Sequence, residues 1–501
     1  LGCPAAERRL CAKAWAFAVS ALANATKALR PTQFAVGVRS GCESIAHGVK
    51  VDCAEYPGLV WVKEDISNAF GCLDRVQGLR RAAALDAGFG LFMTEFYAQD
   101  TVLVGQLEDG SPLCLVQREG FSQGDPGVPV VFCLALEPAL RYADSCLRLA
   151  ADGRTASLPA RPAGVPAAVE PRIKVWMEMV ENQMRQGGVP DVKCVARYSY
   201  MDDLTYGIPS ALVGVHRPLL STVLAPLNLS LDGAKGAQWR PADGPSAGLS
   251  LVGAPLWGPR ADPLDAGPAA FAGGVVFFDE ALEELGSRWS KALDQLARVP
   301  DEAAGGWPSA MLGYQVLYTS FVNRACYHAR VAPLGPSGAA DRYDECLWET
   351  GAALCGLPEL DPDHEKRALG ELPLAGGGLG LGGLRVLAAG CYLAGWLDAL
   401  PSLAERAGLE VDELVVAIDA GVHAAAPFLQ EALGAAAEAG CEGCKAGGKL
   451  HGVFDAFAAH LAELGDRKSP FLRPDGSRRW QAFVNAPVKK ARVTGWKEAA
   501  S

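Results

Sequence analysis

One segment constrains the fold more than any other, because two runs of strand-forming residues flank a pair of adjacent aspartates in RYSYMDDLTYGIP, residues 197–209. Tyrosine, threonine and isoleucine favour extended backbone, whereas short acidic side chains favour turns. The segment therefore predicts an antiparallel hairpin whose turn carries Asp202 and Asp203. Taken alone, the pair fits either a metal site or a solvated polar turn, since short motifs have many chance matches.

A third carboxylate follows another predicted strand. In GLVWVKEDISNAF, residues 58–70, apolar strand formers lead to Asp65, and Ser67 and Asn68 then favour a turn or helix start. If this strand neighbours the hairpin, Asp65, Asp202 and Asp203 converge on one patch. Such oxygen ligands favour Mg²⁺ or Mn²⁺, held partly by substrate phosphates. Two such ions about 4 Å apart would activate an attacking hydroxyl and stabilise a leaving pyrophosphate.

The segment GFSQGDPGVP, residues 120–129, precedes an apolar stretch that predicts a long buried helix. Gln123 and Gly124 lie at a predicted tight turn, where backbone can approach a flat ligand and an amide can bind it. Local structure explains the same residues, with Asp125 as the helix cap and Pro126 at the first helical position. Both interpretations stay open on this segment alone.

Length and composition set wide limits. A chain of 501 residues, half of them hydrophobic, predicts roughly two to four domains. The net charge of −11 disfavours bulk electrostatic coating of nucleic acid but allows local patches and bound cations. The 15 scattered cysteines indicate an intracellular location, nuclear or cytoplasmic, and not a secreted protein. No stretch reaches the roughly 20 uncharged apolar residues that span a bilayer, so no membrane partner is expected.

The rest of the chain predicts further elements. TVLVGQLEDGSPLCLVQREG predicts a hairpin that turns at Asp109 and Gly110. Residues 152–192 are rich in Pro, Ala and Gly around one short amphipathic segment, which predicts an insertion or a flexible excursion. From about residue 277 to 350 the apolar periodicity is helical.

EDISNAF, SQGDPGVPVVF and YMDD resemble motifs A, B and C of reverse transcriptases, and look most like the non-LTR retrotransposon type, in order and spacing. RPTQFAVGVRSG resembles the fingers motif before motif A, LNLSLDGAKGAQW resembles motif D, and LVGAPLWG resembles the primer grip. The later helical region resembles the thumb and post-thumb of such elements. The resemblance covers roughly residues 5–400. The family's basic fingers segment should precede residue 5 and is absent from this sequence, so an N-terminally incomplete copy is expected.

The resemblance implies an α+β fold of the right-hand polymerase type, with fingers, an antiparallel palm sheet, a helical thumb and a helical C-terminal extension. Partial fingers would occupy residues 1–57, and the palm would occupy residues 58–262, with an insertion at about 152–192. The thumb would follow at 263–355, the C-terminal extension at 356–465 and a basic tail at 466–501.

The resemblance also implies roles for individual residues. Asp65, Asp202 and Asp203 would ligate two Mg²⁺ or Mn²⁺ ions, and Lys235 of motif D would protonate or steady the leaving pyrophosphate. The implied nucleotide and primer contacts are Phe70, Gln123, Gly124, Tyr200, Met201, Leu251, Val252 and Gly253. The implied partners are an RNA template, a DNA or RNA primer and deoxynucleoside triphosphates (dNTPs).

Phe70 bears on the choice of nucleotide. It lies five residues after Asp65, where reverse transcriptases place an aromatic ring against the sugar C2′ and RNA-copying RNA polymerases place a carboxylate. A ring there crowds a 2′-hydroxyl and leaves it unpaired, which favours deoxynucleotides. A simple core role for Phe70 is compatible with this interpretation.

Three residues depart from the family pattern. Lys63 and Glu64 put charge into a strand that the family often makes apolar, and Gly127 replaces the usual leucine. These departures keep open a catalytically inactive, nucleic-acid-binding remnant beside RNA-directed DNA synthesis. An RNA-dependent RNA polymerase is a third alternative, which would have to use ribonucleotides despite Phe70.

Some features stay weaker. Cys441 and Cys444 form one C-x-x-C near His451, but a structural zinc site needs four ligands and no second pair is visible. The glycine-rich stretch at 373–384 lacks the Gly-Lys-Ser/Thr of a phosphate-binding loop and predicts a turn. In the basic tail, Phe471, Trp480, Phe483 and Trp496 could stack on nucleic acid, or the tail could be solvated and disordered.

Overall fold

The computed structural model shows a chain of mixed helix and antiparallel sheet, whose contacts divide into two units. The first unit is Leu1–Ile45 with Asp52–Pro241, and the second is Ala46–Val51 with Ala242–Ser501. The structure describes residues 10–11, 21–107, 109–188, 190, 192–240, 249–251, 254–256, 291, 309–321, 324–334, 339–354, 383–441, 444, 448–464 and 480–486.

Strands and helices are interspersed up to residue 239. In chain order the elements are α1 (Ala21–Leu29), α2 (Gly41–Glu55), β1 (Leu59–Asp65), α3 (Ala69–Cys72), α4 (Arg75–Leu85), α5 (Ala87–Tyr97), β2 (Thr101–Gln106), β3 (Pro112–Gln117), α6 (Val128–Ala151), α7 (Glu170–Gly187), β4 (Ala196–Tyr200), β5 (Asp203–Pro209), α8 (Val213–Leu224) and β6 (Ala237–Trp239).

The predicted hairpins are confirmed. Strands β4 and β5 pair across the Asp-Asp turn, and β2 and β3 pair across the turn that contains Asp109 and Gly110. Gly110 has φ of +83°, a conformation that favours glycine. The amphipathic segment predicted within residues 152–192 forms the longer helix α7, whose Ile173 and Trp176 are buried in the core of the first unit.

Four strands form the main sheet, in the order β4–β5–β1–β6, and every neighbouring pair is antiparallel. Side chains alternate between the two faces of each strand. On one face, Val60, Val62 and Tyr206 belong to a buried cluster shared with α6 and α8. On the other face, the buried ring of Trp61 packs so closely on Gly207 that a Cβ there would lie 2.9 Å from it.

A buried arginine links strand β4 to helix α6. The Arg197 guanidinium, 1% exposed, donates to Glu137 Oε1 at 2.7 Å, to Asp144 Oδ2 at 2.9 Å and to Thr32 Oγ1 at 2.8 Å. Burial by itself would raise the pKa of Glu137, but the charge and hydrogen bonds of Arg197 reverse the effect and hold that pKa below its usual value. The carboxylate is therefore ionised, and the ion pair is part of the fold.

The second unit is mostly helical where it is described. Its elements are β7 (Leu249–Leu251), β8 (Ala254–Leu256), α9 (Ser309–Val316), a π-helical turn (Leu317–Phe321), α10 (Arg324–Val331), α11 (Ala339–Leu354), α12 (Leu384–Ala407), α13 (Val411–Asp419), α14 (Ala426–Glu438), α15 (Leu450–Leu464) and α16 (Trp480–Val484). The helical prediction for about residues 277–350 is confirmed where that range is described, in residues 309–321, in Arg324–Val331 and in the helix that begins at Ala339. Most of the predicted helix before residue 300 and of the glycine-rich stretch lies outside the described residues.

Helix α12 lies at the centre of that unit and packs on α10, α14 and α16. The prediction that Trp480 and Phe483 belong to a nucleic-acid-stacking or solvated tail is wrong, because both are buried against Phe457 at ring distances of 5.0 and 4.9 Å. Phe471 and Trp496 lie outside the described residues. The free energy gained by burying the two rings exceeds the preference of the surrounding basic residues for solvent.

Cys441 and Cys444 are both buried in the core of the second unit. His451, the neighbouring zinc-ligand candidate, is exposed, and its Nε2 lies 3.7 Å from Asp455 Oδ1. Cys441 is a free cysteine, and its Sγ donates to Asn485 Oδ1 at 3.7 Å.

Within the described part of the chain, two helical segments are long and apolar enough by composition to cross a bilayer, Ser210–Leu227 and Leu384–Ala407. In the second, 72% of the most apolar stretch is buried within the protein. The core helix of a globular protein satisfies the same criterion, so these segments do not establish a membrane partner.

We predict that replacing Arg197 with methionine lowers the free energy of unfolding by about 3–5 kcal/mol, because buried Asp144 loses its ion-pair partner and Glu137 is left with the partly exposed Arg141. Denaturant unfolding measures the change. The matched control is Arg185→Met, which removes an exposed i,i+4 pair with Glu181 and is expected to cost less than about 1 kcal/mol. Equal losses in the two variants would contradict a structural role for the buried network.

Candidate active site

The strand register brings the predicted carboxylates together. Asp65 is the last residue of β1 and lies directly opposite Asp203, the first residue of β5. Asp202 precedes Asp203 in the turn from β4. Residues paired in this way have Cβ atoms roughly 4.5–5.5 Å apart. Three carboxylates that are distant in sequence therefore share one end of the sheet, as the sequence predicted.

The turn that carries Asp202 has an unusual backbone. Met201 has φ of +56°, in the left-handed region that non-glycine residues seldom occupy. Its N–H donates to Gln33 Oε1 at 3.1 Å, and the Gln33 side chain is only 1% exposed. The same Oε1 accepts from Ala35 N at 3.1 Å. Gln33 thus holds the turn in a conformation that its own residues do not favour.

The loop after α1 also pairs with the hairpin through its backbone. Ser199 N donates to Thr32 O at 2.9 Å, and Phe34 N donates to Ser199 O at 2.8 Å. These bonds form a parallel bridge between Gln33 and Ser199 at the edge of β4. Sequence reasoning missed Gln33, because no local pattern reveals a partner 168 residues away.

Two lysines form ion pairs with the carboxylates of this site. Lys235 Nζ is 2.8 Å from Asp65 Oδ2 and 3.9 Å from Asp232 Oδ2, and Lys63 Nζ is 3.3 Å from Asp203 Oδ1. The hydrogen bond to Asp65 raises the pKa of Lys235, and the negative charge of the Asp65 carboxylate raises it further. The structure therefore places the predicted Lys235 at the site and adds Lys63, whose pairing the sequence did not predict.

The carboxylate of Asp202 is affected both by burial and by its charged neighbours. Burial raises its pKa, and the negative charges of Asp203 and Asp65 raise it further, while Lys235 opposes them. Within the described part of the chain, no side chain forms an ion pair with Asp202, because Lys63 pairs with Asp203 and Lys235 pairs with Asp65. Additional positive charge at this end of the sheet would therefore relieve repulsion.

The donor set can be compared with what a divalent cation requires. Among the described residues, no group of three or more His, Cys, Asp or Glu side chains is arranged to hold a metal ion by itself. Magnesium, however, is commonly bound by one or two carboxylates, with waters and substrate phosphates completing its shell. Asp65 and Asp202 supply ligands of that kind and number, so the residues fit an ion shared with a phosphate substrate.

The departures from the family pattern have local partners. Glu64 is buried on the opposite face from Lys63, where its Oε2 accepts from Arg217 Nη1 at 2.6 Å. Burial raises the pKa of Glu64, and Arg217 opposes the shift. At Gly127 a Cβ would lie 2.7 Å from Met93 Sδ, so a leucine would not fit without movement of Met93. These residues are accommodated by the fold.

Gln123 and Gly124 are exposed in the turn before α6, and Gly124 has φ of +91°. The expectation that Asp125 caps the helix is wrong. Its carboxylate accepts from Tyr97 Oη at 2.9 Å and from Gly127 N at 3.0 Å, one turn before the helix begins. Asp125 fixes the turn, which leaves Gln123 and Gly124 open to solvent.

Phe70 is half-buried between the β1 end and α6. Its ring centroid lies 4.9 Å from that of Phe132, and its backbone oxygen accepts from Phe121 N at 2.7 Å. The ring therefore takes part in the core and also keeps an accessible part, so both predicted roles remain compatible. Tyr200, at the end of β4, has its pKa raised to about 12 by burial and by the neighbouring Cys42.

The predicted primer grip belongs to the second unit. Leu251 lies in β7, paired with Ala254 of β8. Val252 and Gly253 lie outside the described residues. Their proposed contact with a primer stays a prediction.

Comparisons with known proteins give little similarity. No protein-family model matches the chain, and no curated protein matches it. Among solved structures, telomerase from Candida albicans in complex with the TWJ fragment of telomeric RNA is 11% identical over 70% of this chain and 54% of that chain, with a TM-score of 0.29. Apo telomerase from Candida tropicalis is 10% identical over 79% of this chain and 58% of that chain, also at 0.29. The chain spans little more than half the length of either structure, and a likeness at this score carries no assignment.

We predict that Gln33→Leu speeds hydrogen exchange of the Met201 amide about tenfold, because that N–H loses its acceptor while the left-handed turn remains strained. Exchange followed by NMR measures the effect. The Phe34 amide, which is bonded to the Ser199 backbone, is the internal control and should change much less. An unchanged Met201 amide would show that Gln33 does not hold the turn.

Proposed function

We propose that this chain is an RNA-directed DNA polymerase of the reverse-transcriptase family, of the non-LTR retrotransposon type. The observation that carries the proposal is the register that sets Asp65 opposite Asp203, with Asp202 in the adjoining turn. Motifs that match the family only as separate segments thereby meet at one sheet end. In this proposal the sheet with α6 and α8 is the palm, and the second unit supplies thumb and C-terminal extension.

The reaction is attack of a primer 3′-hydroxyl on a dNTP, directed by an RNA template. Asp65, Asp202 and Asp203 would hold two Mg²⁺ or Mn²⁺ ions. When bound, the ions would neutralise phosphate charge and activate the hydroxyl. Lys235 would donate a proton or positive charge to the leaving pyrophosphate, and its 65% exposure and its position beside Asp65 support this role.

The remaining residues position the substrates. The exposed turn of Gln123 and Gly124 offers backbone and amide groups to the incoming nucleotide. Phe70 limits the space beside the sugar and excludes a 2′-hydroxyl. The proposed partners are an RNA template, a DNA or RNA primer and dNTPs, in an intracellular location and without a membrane.

A second candidate is a nucleic-acid-binding remnant without polymerase activity. It is favoured by one observation, namely that Lys63 and Lys235 pair with two of the three carboxylates. In such a remnant these lysines would replace the cations permanently.

We predict that Asp202→Asn lowers the rate of primer extension by roughly a thousandfold or more. The variant loses a carboxylate that would hold the metal ions, and those ions would lower the activation barrier by several kcal/mol. Extension of a DNA primer on an RNA template with Mg²⁺ and dNTPs measures it. Asp109→Asn, in the exposed β2–β3 turn, is the control and should extend normally. No extension by the folded natural chain would favour the remnant, and extension with ribonucleotides instead would indicate an RNA polymerase.

Phe70→Val should lower the preference for deoxynucleotides over ribonucleotides about 10- to 100-fold, because the smaller side chain admits a 2′-hydroxyl. The ratio of kcat/KM values for dCTP and CTP measures the preference. Phe132→Leu disturbs the same ring pair from the α6 side and serves as the packing control. A similar change in both variants would assign Phe70 to the core alone.

A further inference from the structure

Lys63 lies on the same face of β1 as Asp65, because residues two apart along a strand point the same way. Its strand partners are Thr205 on β5 and Ala237 on β6. Asp203 is two residues from Thr205, on the diagonal, and the Lys63 side chain reaches it with an Nζ–Oδ1 distance of 3.3 Å. Long side chains commonly span such diagonal positions. Lys63 thus approaches the carboxylates from within the sheet.

The backbone of Lys63 is held on both sides. Strand β1 is internal, paired with β5 and with β6, so residue 63 cannot shift away from the carboxylates without breaking the sheet. The side chain is only 19% exposed and Asp203 is 32% exposed, so water screens the pair incompletely. The next residue, Glu64, points to the other face and is paired with Arg217, so it does not compensate Lys63.

The two lysines at this site differ in how they are held. Lys235 is 65% exposed and lies in the turn at residues 233–235, so its side chain can move to solvent when a cation approaches Asp65. Lys63 is anchored in the central strand and keeps its positive charge near Asp203. Asp202 has no such partner among the described residues. The carboxylates are therefore unequal: a cation meets an ion-paired Lys63 at Asp203 but no ion-paired lysine at Asp202.

We propose that Lys63 competes with divalent cations for this site and raises the cation concentration that the site needs. The inference rests on the proposed function, since it takes Asp65, Asp202 and Asp203 as cation ligands. Like charges a few ångströms apart repel, and one ammonium must move before an ion engages Asp203 fully. Lys63 is thus a determinant of metal affinity in this chain.

Mn²⁺ binding to the full chain, followed by electron paramagnetic resonance of the free ion, tests the proposal without an activity measurement. Lys63→Met is expected to lower the Kd for Mn²⁺ about threefold to tenfold, as for one partly screened charge. Lys63→Arg keeps the charge and should stay near the natural value. Lys174→Met removes the same charge from the exposed surface of α7 and should change the Kd less than about twofold.

The outcomes separate the two proposals. If Asp202→Asn abolishes binding while Lys63→Met binds as the natural chain does, the Lys63 inference is overturned and the metal site stands. If neither the natural chain nor Lys63→Met binds Mn²⁺, the metal site of the proposed function is overturned as well. Binding that appears only in Lys63→Met supports the inference. Should Lys63→Met fail to fold, Lys63→Gln replaces it with the same expectation.

Discussion

The antiparallel register of β1 and β5 is the constraint on which the site depends. A slip by one residue would turn Asp65 and Asp203 to opposite faces and would expose Val60 and Val62. Burial of the alternating apolar residues on the α6 side opposes such a slip, and so does the close fit of Trp61 on Gly207. The same contacts that build the core therefore place the carboxylates opposite each other.

Polar contacts then set the geometry of the hairpin more finely than the core can. Arg197 binds Glu137 and Asp144 of α6, and this charged network ties β4 to the helix that follows the Gln123 turn. Gln33 fixes the Met201 turn from the other side. Directional bonds to buried groups are costly to leave unmade, so they select one arrangement among several that would bury equal apolar area.

Charge at the site is balanced unevenly. Glu64 and Arg217 neutralise each other on one face, whereas the other face gathers three carboxylates and two lysines. Lys235 is exposed and Lys63 is anchored in a central strand, so the two cations are not equivalent toward an incoming metal ion or phosphate. The departures at Lys63 and Glu64 are thus parts of one electrostatic arrangement across β1.

Local patterns in the sequence were sufficient for the hairpins, the strand that ends at Asp65 and the helix after the Gln123 turn, because apolar alternation and turn residues act over a few positions. The meeting of Asp65, Asp202 and Asp203 followed from those strands being neighbours. The sequence alone did not reveal the Gln33 contact, the Arg197 network, the Lys63 ion pair or the burial of Trp480. Only the tertiary structure decided these, because each joins side chains whose proximity depends on how whole elements pack, and that is a sum over many weak contacts.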